Sequence, residues 1–421
     1  MTSPLPRAGI WLVMLIIFMQ PLASGLRGIS VPAGQGLILL CDVLLIALVF
    51  ANIHRVRDRR LQVSLALMIF SLVYTMTIPN FPPAGLIGGG RKSYLVLVAL
   101  AVGAMVGEDR RRLIHLSVIA AGAVVAAYAI KQHFFFGAFD TNILATQTAD
   151  KYTNLYKGEQ RAFSLLSSGF HVGMVCLVLI AYSLFTGILG RASSLGLLTL
   201  ALIALYFTFT RTCLIIALVM IAYRICRTLR VPVVIAASAL AIIYSSLVVV
   251  APDQVPNPFT AVSDDTRFTG RSVSYVDAAQ DWGVAPLRLV TGFGVGSAGS
   301  AQGDLFDGPA HIEPHNIFLK YVFEMGVALG LPFLLLIGGL IASAIRSAKQ
   351  DGERDFVAMI TLAVVVSGLS ITVVEAWPAN VYLFLIIGLY LGPRIAAVAG
   401  ANQTEVNEQV TAMIAANASR S

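Results

Sequence analysis

Long apolar runs, each about as long as a membrane is thick, are the feature of this chain that most restricts its fold. They recur from residue 10 to residue 393 and are separated by polar joints. A hydrocarbon core about 30 Å thick needs roughly 20 apolar residues in a helix, whereas a spanning strand needs only about ten. Because lipid cannot satisfy backbone polar groups, the runs predict an all-α polytopic membrane protein of about twelve transmembrane helices.

The composition supports a membrane-embedded chain and excludes several soluble classes. Of the 421 residues, 57% are hydrophobic and 12% are charged, whereas soluble proteins carry roughly 25% charged residues. The net charge of +7 would suit nucleic acid, but its distribution follows membrane topology, so we expect no nucleic acid partner. The four cysteines predict no disulfide framework. The sequence also has no P-loop and no zinc-type cluster, and we expect no metal and no cofactor.

Lysine and arginine are concentrated at every second joint, which orients the predicted helices. The basic turns span residues 54–60, 108–112, 224–230 and 346–354. Cytoplasmic loops carry such an excess, so both termini are predicted to be cytoplasmic and two long loops to lie on the outer face. The predicted parts are helices one to five in 1–130, a first outer loop in 131–165, helices six to nine in 166–251, a large outer loop in 252–315, helices ten to twelve in 316–397 and a cytoplasmic tail in 398–421.

Several cations fall on the predicted outer side, where they have no role in setting topology. Anion binding is the obvious explanation for them. Two of them, Arg91 and Lys92, lie just before a fourth span, which is predicted at 93–107. These outer cations are Arg91, Lys92, Arg161, Arg211, Arg267, Arg271, Arg288 and Lys320.

The residues best suited to chemistry are concentrated in the large outer loop and the helix after it. Glycine-rich turns allow tight backbone conformations, and an Asn that opens a helix can cap it. In chain order, the pattern is Gly270-Arg271, Asp281-Trp282, Gly292-Phe293-Gly294-Val295-Gly296, Pro314-His315-Asn316 and Glu324-Met325-Gly326. Taken together, these elements resemble the O-antigen ligase and Wzy-type polysaccharide polymerase superfamily.

This resemblance implies a GT-C-like enzyme of the bacterial inner membrane with a periplasmic active site. Family members transfer a glycan from an undecaprenyl-diphosphate carrier to a sugar hydroxyl without nucleotide sugars. By resemblance, the catalytic residues are Arg211 of the FTFTRT segment, the loop arginine Arg271, and His315 of the His-Asn motif. Arginine suits the departing diphosphate, and histidine suits removal of the acceptor proton, in a single inverting displacement.

Each catalytic candidate also has a structural alternative. Arg211 can reach lipid headgroups, Arg271 can pair with a loop aspartate, and His315 can cap the following helix. The substrate-binding candidates are Arg161, Arg91, Lys92, Asn316 and Arg288.

Three further features leave alternatives open. The Arg161-Ala162-Phe163-Ser164 segment resembles the Arg-x-Phe-Ser segment of exopolysaccharide polymerases, but Arg161 can equally pair with Glu159. Asp42 and Glu375 lie at membrane depth or its boundary and need partners that the sequence does not identify. Glu324 either orients His315 or pairs with Lys320 at the i, i+4 spacing, and the second is favoured.

The leading hypothesis is a polymerase of undecaprenyl-diphosphate-linked repeat units, for O-antigen or exopolysaccharide. The alternatives are an O-antigen ligase that transfers glycan to lipid A-core and a transporter or flippase of lipid-linked sugars. The expected partners are the lipid-linked glycan, the acceptor glycan or lipid A-core, the lipid bilayer and a chain-length-regulating copolymerase.

Overall fold

The computed structural model of the chain describes residues 4–79, 81, 83–145, 155–156, 159–166, 168–229, 266–299, 312, 316–370 and 373–391. Apart from a hairpin of two-residue strands, β1 (Leu155–Tyr156) and β2 (Glu159–Gln160), its regular structure is helical. The predicted all-α fold class is therefore confirmed for this part of the chain. The helices are α1 (Arg7–Leu26), α2 (Val31–Ala51), α3 (Arg59–Met76), α4 (Pro83–Met105), α5 (Arg111–Phe134), α6 (Ala138–Ala145), α7 (Gly169–Phe185), α8 (Arg191–Phe207), α9 (Arg211–Leu229), α10 (Thr266–Val284), α11 (Pro286–Thr291), α12 (Ile317–Ser347), α13 (Asp351–Ser370) and α14 (Ala379–Leu389).

Most of these helices suit a bilayer, so the chain is a multi-pass membrane protein. In the described residues, six helices are long and apolar enough to cross a membrane, namely α1, α2, α4, α5, α9 and α12. Three shorter apolar helices, α7, α8 and α14, accompany them. Each predicted span coincides with a helix except 231–251, which lies outside the described residues. The total of twelve spans stays a prediction.

The basic turns predicted to be cytoplasmic lie together on one face of the molecule, which we call the basic face. Arg55 donates a hydrogen bond to the carbonyl of Pro4, and the neighbouring Leu5 amide bonds to the carbonyl at the end of α4. Lys349 pairs with Glu108 at 2.7 Å. At the end of α9, Arg227 pairs with Asp355 of α13 at 2.6 Å and with Asp351, the first residue of that helix, at 3.4 Å. The other ends of these helices form the opposite face.

The centre of the bundle is built from helices that are buried around their whole circumference. All residues from Ala379 to Leu389 of α14 are buried, as are those from Val172 to Tyr182 of α7. Such helices are apolar on every side, unlike the amphipathic helices of a protein surface. Gly103 of α4 packs directly against Gly388 of α14, and a side chain on either glycine would collide with the backbone of the other helix. Small residues allow this close approach.

Helix α12 bends sharply near the opposite face. Its 31 residues contain Gly326 in a non-helical conformation, with φ 68° and ψ 171°. We call residues 317–325 the outer arm and residues 327–347 the spanning arm. At 1.5 Å per residue, the spanning arm alone is about 31 Å long and matches the hydrocarbon core. The outer arm folds back so that the Tyr321 carbonyl lies against Gly330. The span predicted at 316–345 therefore coincides with α12, but the helix is interrupted at Gly326.

Candidate functional site

A glycine-rich loop, residues 292–299, covers the outer arm of α12 on the opposite face. Gly292, Gly294, Gly296 and Gly299 all have positive φ, between 81° and 101°. The loop amides donate to carbonyls at the end of the outer arm: Phe293 to Phe323 at 2.9 Å, and Gly294 to Glu324 at 2.9 Å. These carbonyls have no partner within their own helix because the helix ends there. The glycine pattern noted in the sequence is therefore a helix-capping loop.

The same loop packs on the first turns of α4, which corrects one prediction. Gly296 lies directly against Gly89, so closely that a side chain on Gly89 would collide with the loop backbone. The glycines before Arg91 and Lys92 are thus helical, and α4 begins at Pro83 rather than at residue 93. Glycine is a poor helix former in isolation, but here it permits the loop to approach. Arg91 and Lys92 consequently lie inside the helix and not before it.

Lys320 is the centre of a buried ionic cluster beneath the loop. Its ammonium group lies 2.7 Å from Glu324 and 2.8 Å from Glu375, and it donates to the Ala298 carbonyl at 2.7 Å. Glu324 in turn accepts from Ser93 at 2.7 Å and from the Gly296 amide at 3.1 Å. The side chains of Lys320 and Glu324 are fully buried. The favoured i, i+4 pairing is confirmed. Anion binding is the wrong explanation for Lys320, because its ammonium group is fully buried between two carboxylates.

A second ion pair lies beside this cluster and identifies a partner for Asp42. The buried Asp42 carboxylate pairs with Arg91 and accepts from the Trp377 indole N–H at 3.2 Å. The Arg91 guanidinium also lies 5.8 Å from the centre of the Trp377 ring. A carboxylate at this depth needs such a partner.

These two ionic groups border a narrow cleft. Its lining combines charged and apolar side chains, and the half-buried His171 of α7 lies near enough to interact electrostatically with Lys92 and Glu375. The cleft thus brings both predicted cations of α4 next to groups from α7 and from the turn before α14. Its lining residues are Arg91, Lys92, Leu95, Val374, Glu375, Trp377 and Asn380.

The Arg161–Ser164 segment is fixed to the helices on the same face. The Gln132 side chain of α5 accepts from the amides of Phe163 and Ser164 at 2.9 and 2.7 Å. Arg161 donates to the Thr208 carbonyl at 2.9 Å and to the Thr210 hydroxyl at 3.1 Å. Arg161 therefore holds the turn between α8 and α9, where its charge suits the carbonyl end of α8. The side chain of Glu159 lies outside the described residues, so its predicted pairing stays open.

The other predicted site residues have different surroundings. Arg211 is exposed at the first residue of α9. Arg288 donates to the Gly292 carbonyl at 3.2 Å and to the Tyr74 hydroxyl at 3.3 Å. The Asn316 side-chain oxygen accepts from the amides of Phe318 and Leu319 at 2.7 and 3.3 Å. Asn316 is thus the N-cap of α12, the structural alternative noted for the His-Asn pair.

Part of the chain that contains these residues is similar to a known protein family. Residues 196–334 match a family model described as O-antigen ligase. This stretch of the chain is therefore similar to the O-antigen ligase family, as the motifs of the sequence indicated. It runs from α8 to the beginning of the spanning arm of α12, and it includes Arg211, the glycine-rich loop and Lys320. No curated protein matches the chain.

Within the matched stretch, two catalytic candidates have side chains that lie outside what the structure describes. The position of His315 is not described, and for Arg271 only the backbone, within α10, is described. Among the described residues, no group of three or more His, Cys, Asp or Glu side chains is arranged to hold a metal ion. Sequence reasoning missed the links from Asp42 to Arg91 and from Lys320 to Glu375, because residues so distant in the chain give no periodic signal.

Proposed function

We propose that this protein transfers a glycan from a polyprenyl-diphosphate carrier to a sugar hydroxyl, and that it polymerises lipid-linked repeat units in this way. The match of residues 196–334 to the O-antigen ligase family is the observation that carries the proposal. The cations of the opposite face support it, because the donor and the leaving group are both anionic. In this proposal, the carrier is undecaprenyl diphosphate.

The proposed reaction is one inverting displacement at the anomeric carbon. His315 takes the proton of the acceptor hydroxyl while that oxygen forms the new glycosidic bond, and the bond to the carrier breaks. Arg211 and Arg271 stabilise the growing charge on the departing diphosphate through guanidinium hydrogen bonds. Arg91 and Lys92, which line the cleft, together with Arg161 and Arg288, bind the substrate. The reaction needs no metal, because the arginines supply the positive charge.

The proposed location is the bacterial inner membrane, with the basic face in the cytoplasm and the site in the periplasm. Cytoplasmic loops are enriched in Lys and Arg, and the basic turns of this chain lie on the same face. A chain-length-regulating copolymerase is a proposed further partner. The Arg161–Ser164 segment favours polymerisation, because it resembles a segment of exopolysaccharide polymerases and adjoins the turn that precedes Arg211.

A ligase that transfers finished glycan to lipid A-core is the second candidate. It is favoured by the description of the matching family model as O-antigen ligase. Both reactions use the same donor and leaving group, so the residues named above would serve either one. They differ in the acceptor, which is a second lipid-linked glycan for the polymerase and a lipid A-core for the ligase.

The test is polysaccharide size and attachment in a deletion strain complemented at matched expression. The variants are Arg211→Ala, Arg271→Ala and His315→Ala, with Arg191→Ala at the exposed start of α8 on the basic face as the control. For a polymerase, single repeat units on lipid accumulate in the deletion strain and in all three variants, while the control makes long polymer. Long polymer that stays on its carrier identifies a ligase instead. Full complementation by the three variants would show that the assigned site is wrong, and an unaffected deletion strain would exclude both activities.

A further inference from the structure

A short apolar segment, residues 284–290, protrudes from the opposite face beside the glycine-rich loop. It comprises the last residue of α10, the single residue between the helices and most of α11, and it exposes large aliphatic side chains to an unusual degree. Val284 is 88% exposed, Leu287 is 74% exposed and Val290 is 50% exposed. Apolar side chains exposed together in this way mark a surface that contacts something other than water.

The charged residue of this segment is turned the other way. Arg288 donates to the Gly292 carbonyl at 3.2 Å and to the Tyr74 hydroxyl of α3 at 3.3 Å. The Val290 carbonyl lies directly against Gly326, at the bend of α12. The segment therefore directs its cation toward the protein and its aliphatic groups outward, which is the reverse of an ordinary surface loop.

The exposed aliphatic groups continue the lipid-facing surface of the neighbouring helices. Close to the contact with Tyr74, Val73 and Met76 at the end of α3 are 54% and 68% exposed. At the start of the spanning arm, Val327 and Leu331 are 41% and 48% exposed. Both helices have the apolar outer surface of membrane-embedded helices, so the protruding segment lies at the height where this surface ends.

We propose that residues 284–290 are inserted into the lipid of the membrane interface, with Val284, Leu287 and Val290 among the acyl chains. Helices at an interface place their apolar side chains in the boundary between headgroups and chains. The occupant of this surface is thus membrane lipid, and the segment anchors the glycine-rich loop to the bilayer. If the proposed function also holds, on which this consequence rests, a lipid-linked substrate reaches the site directly from the bilayer.

The insertion can be tested by spin labelling without any assay of catalysis. The four native cysteines are buried, so a nitroxide can be directed to Leu287→Cys in the full-length protein in lipid nanodiscs. Val73→Cys on α3 is the lipid-facing control, and Gln280→Cys, at an exposed polar position of α10, is the aqueous control. Collision rates with oxygen, which partitions into lipid, and with a water-soluble nickel complex are compared by electron paramagnetic resonance.

We expect the ratio of oxygen to nickel collisions at position 287 to match that at position 73 and to exceed that at position 280 several-fold. A ratio equal to that at position 280 would place the segment in water and overturn the proposal. Low collision rates with both reagents would overturn it as well, because protein rather than lipid would then cover the segment. Failure of the glycosyltransferase test would leave these outcomes unaffected.

Discussion

At the residue scale, two groups of buried charges on the opposite face are held by specific partners. Lys320 lies between Glu324 and Glu375, and Arg91 pairs with Asp42. A charge buried away from water is costly unless a counter-charge and hydrogen bonds replace its hydration. These ion pairs therefore join distant segments, and removing one partner leaves the other uncompensated.

Replacing Lys320 with Met is expected to destabilise the protein strongly. The change leaves two buried carboxylates without their cation, and breaking a buried ion pair costs about 3–5 kcal/mol. The measurement is the midpoint of thermal unfolding in detergent. Lys349→Met is the matched control, because the Lys349–Glu108 pair is largely exposed and such pairs contribute about 0–1 kcal/mol. Adding Glu324→Gln to Lys320→Met should recover part of the loss. A Lys320→Met variant as stable as the control variant would contradict this account.

Asp140 in α6 is expected to make the stability of the first outer loop depend on pH. Burial raises the pKa of Asp140, but hydrogen bonds from Lys131, the Gly137 amide, Tyr128 and Gln132 outweigh it and lower the pKa overall. A lowered pKa stabilises the fold above the ordinary aspartate pKa of about 3.9, and this stability is lost as the pH falls through the folded-state value.

Amide hydrogen exchange of residues 138–145 between pH 3 and pH 7 can measure this effect. The protection of the loop, corrected for intrinsic exchange rates, should be constant near neutrality and should fall below about pH 4. Asp140→Asn should lower the protection at neutral pH and remove the pH dependence, while Asp109→Asn, at a largely exposed position, should change neither. If the Asp140→Asn variant still lost protection below about pH 4, the loss would have to come from the titration of another group.

At the scale of elements, glycines decide where helices bend and where loops can approach them. Gly326 ends the outer arm, and the loop from Gly292 to Gly299 then covers the arm with its backbone amides. Gly89 of α4 leaves room for that loop. In each case the backbone of one element occupies the space that a side chain of another would need.

Gly326→Ala is expected to destabilise the outer arm. The alanine would hold a positive φ of 68°, which costs about 1–3 kcal/mol, and its methyl group would collide with the Val290 carbonyl. Gly338→Ala in the same helix is the control, since nothing lies near its added methyl group. The yield of monodisperse protein in size-exclusion chromatography should fall for the first variant only. Equal yields would mean that the bend tolerates a side chain.

At the scale of the whole molecule, the distribution of charge gives the protein two different faces. The basic face holds the short turns and their ion pairs, such as Lys349 with Glu108. The opposite face holds the glycine-rich loop, the cleft and the Arg161–Ser164 segment. Positive charge near the ends of spans is retained in the cytoplasm, so the arrangement predicts which face each labelled position reaches.

Cysteine labelling in cells is expected to place the two faces on opposite sides of the membrane. Thr141→Cys in α6 and Gln350→Cys beside α13 are both exposed positions. With the outer membrane made permeable, a membrane-impermeant maleimide should label position 141 and not position 350. Disruption of the inner membrane should allow both to be labelled. Labelling of position 350 alone in intact inner membranes would reverse the proposed topology and remove the site from the periplasm.

The sequence by itself determined the helical class, the approximate positions of the helices and the separation of the basic turns from the cationic outer segments. Hydrophobicity and charge are local properties of the chain, and a bilayer sorts them directly. The motifs of the sequence also indicated the family resemblance, and the family model that matches residues 196–334 confirms it. The local pair of Lys320 and Glu324 could be predicted for the same reason, since residues four apart on a helix are neighbours.

Only the tertiary structure decided which distant residues meet. It placed Arg91 and Lys92 inside α4, paired Arg91 with Asp42, and added Glu375 to Lys320. It also divided α12 at Gly326, where composition predicts an uninterrupted apolar helix. These outcomes depend on packing between segments that are far apart in the chain, where a buried charge takes whichever counter-charge the fold brings to it. That choice leaves no periodic or compositional trace in the chain.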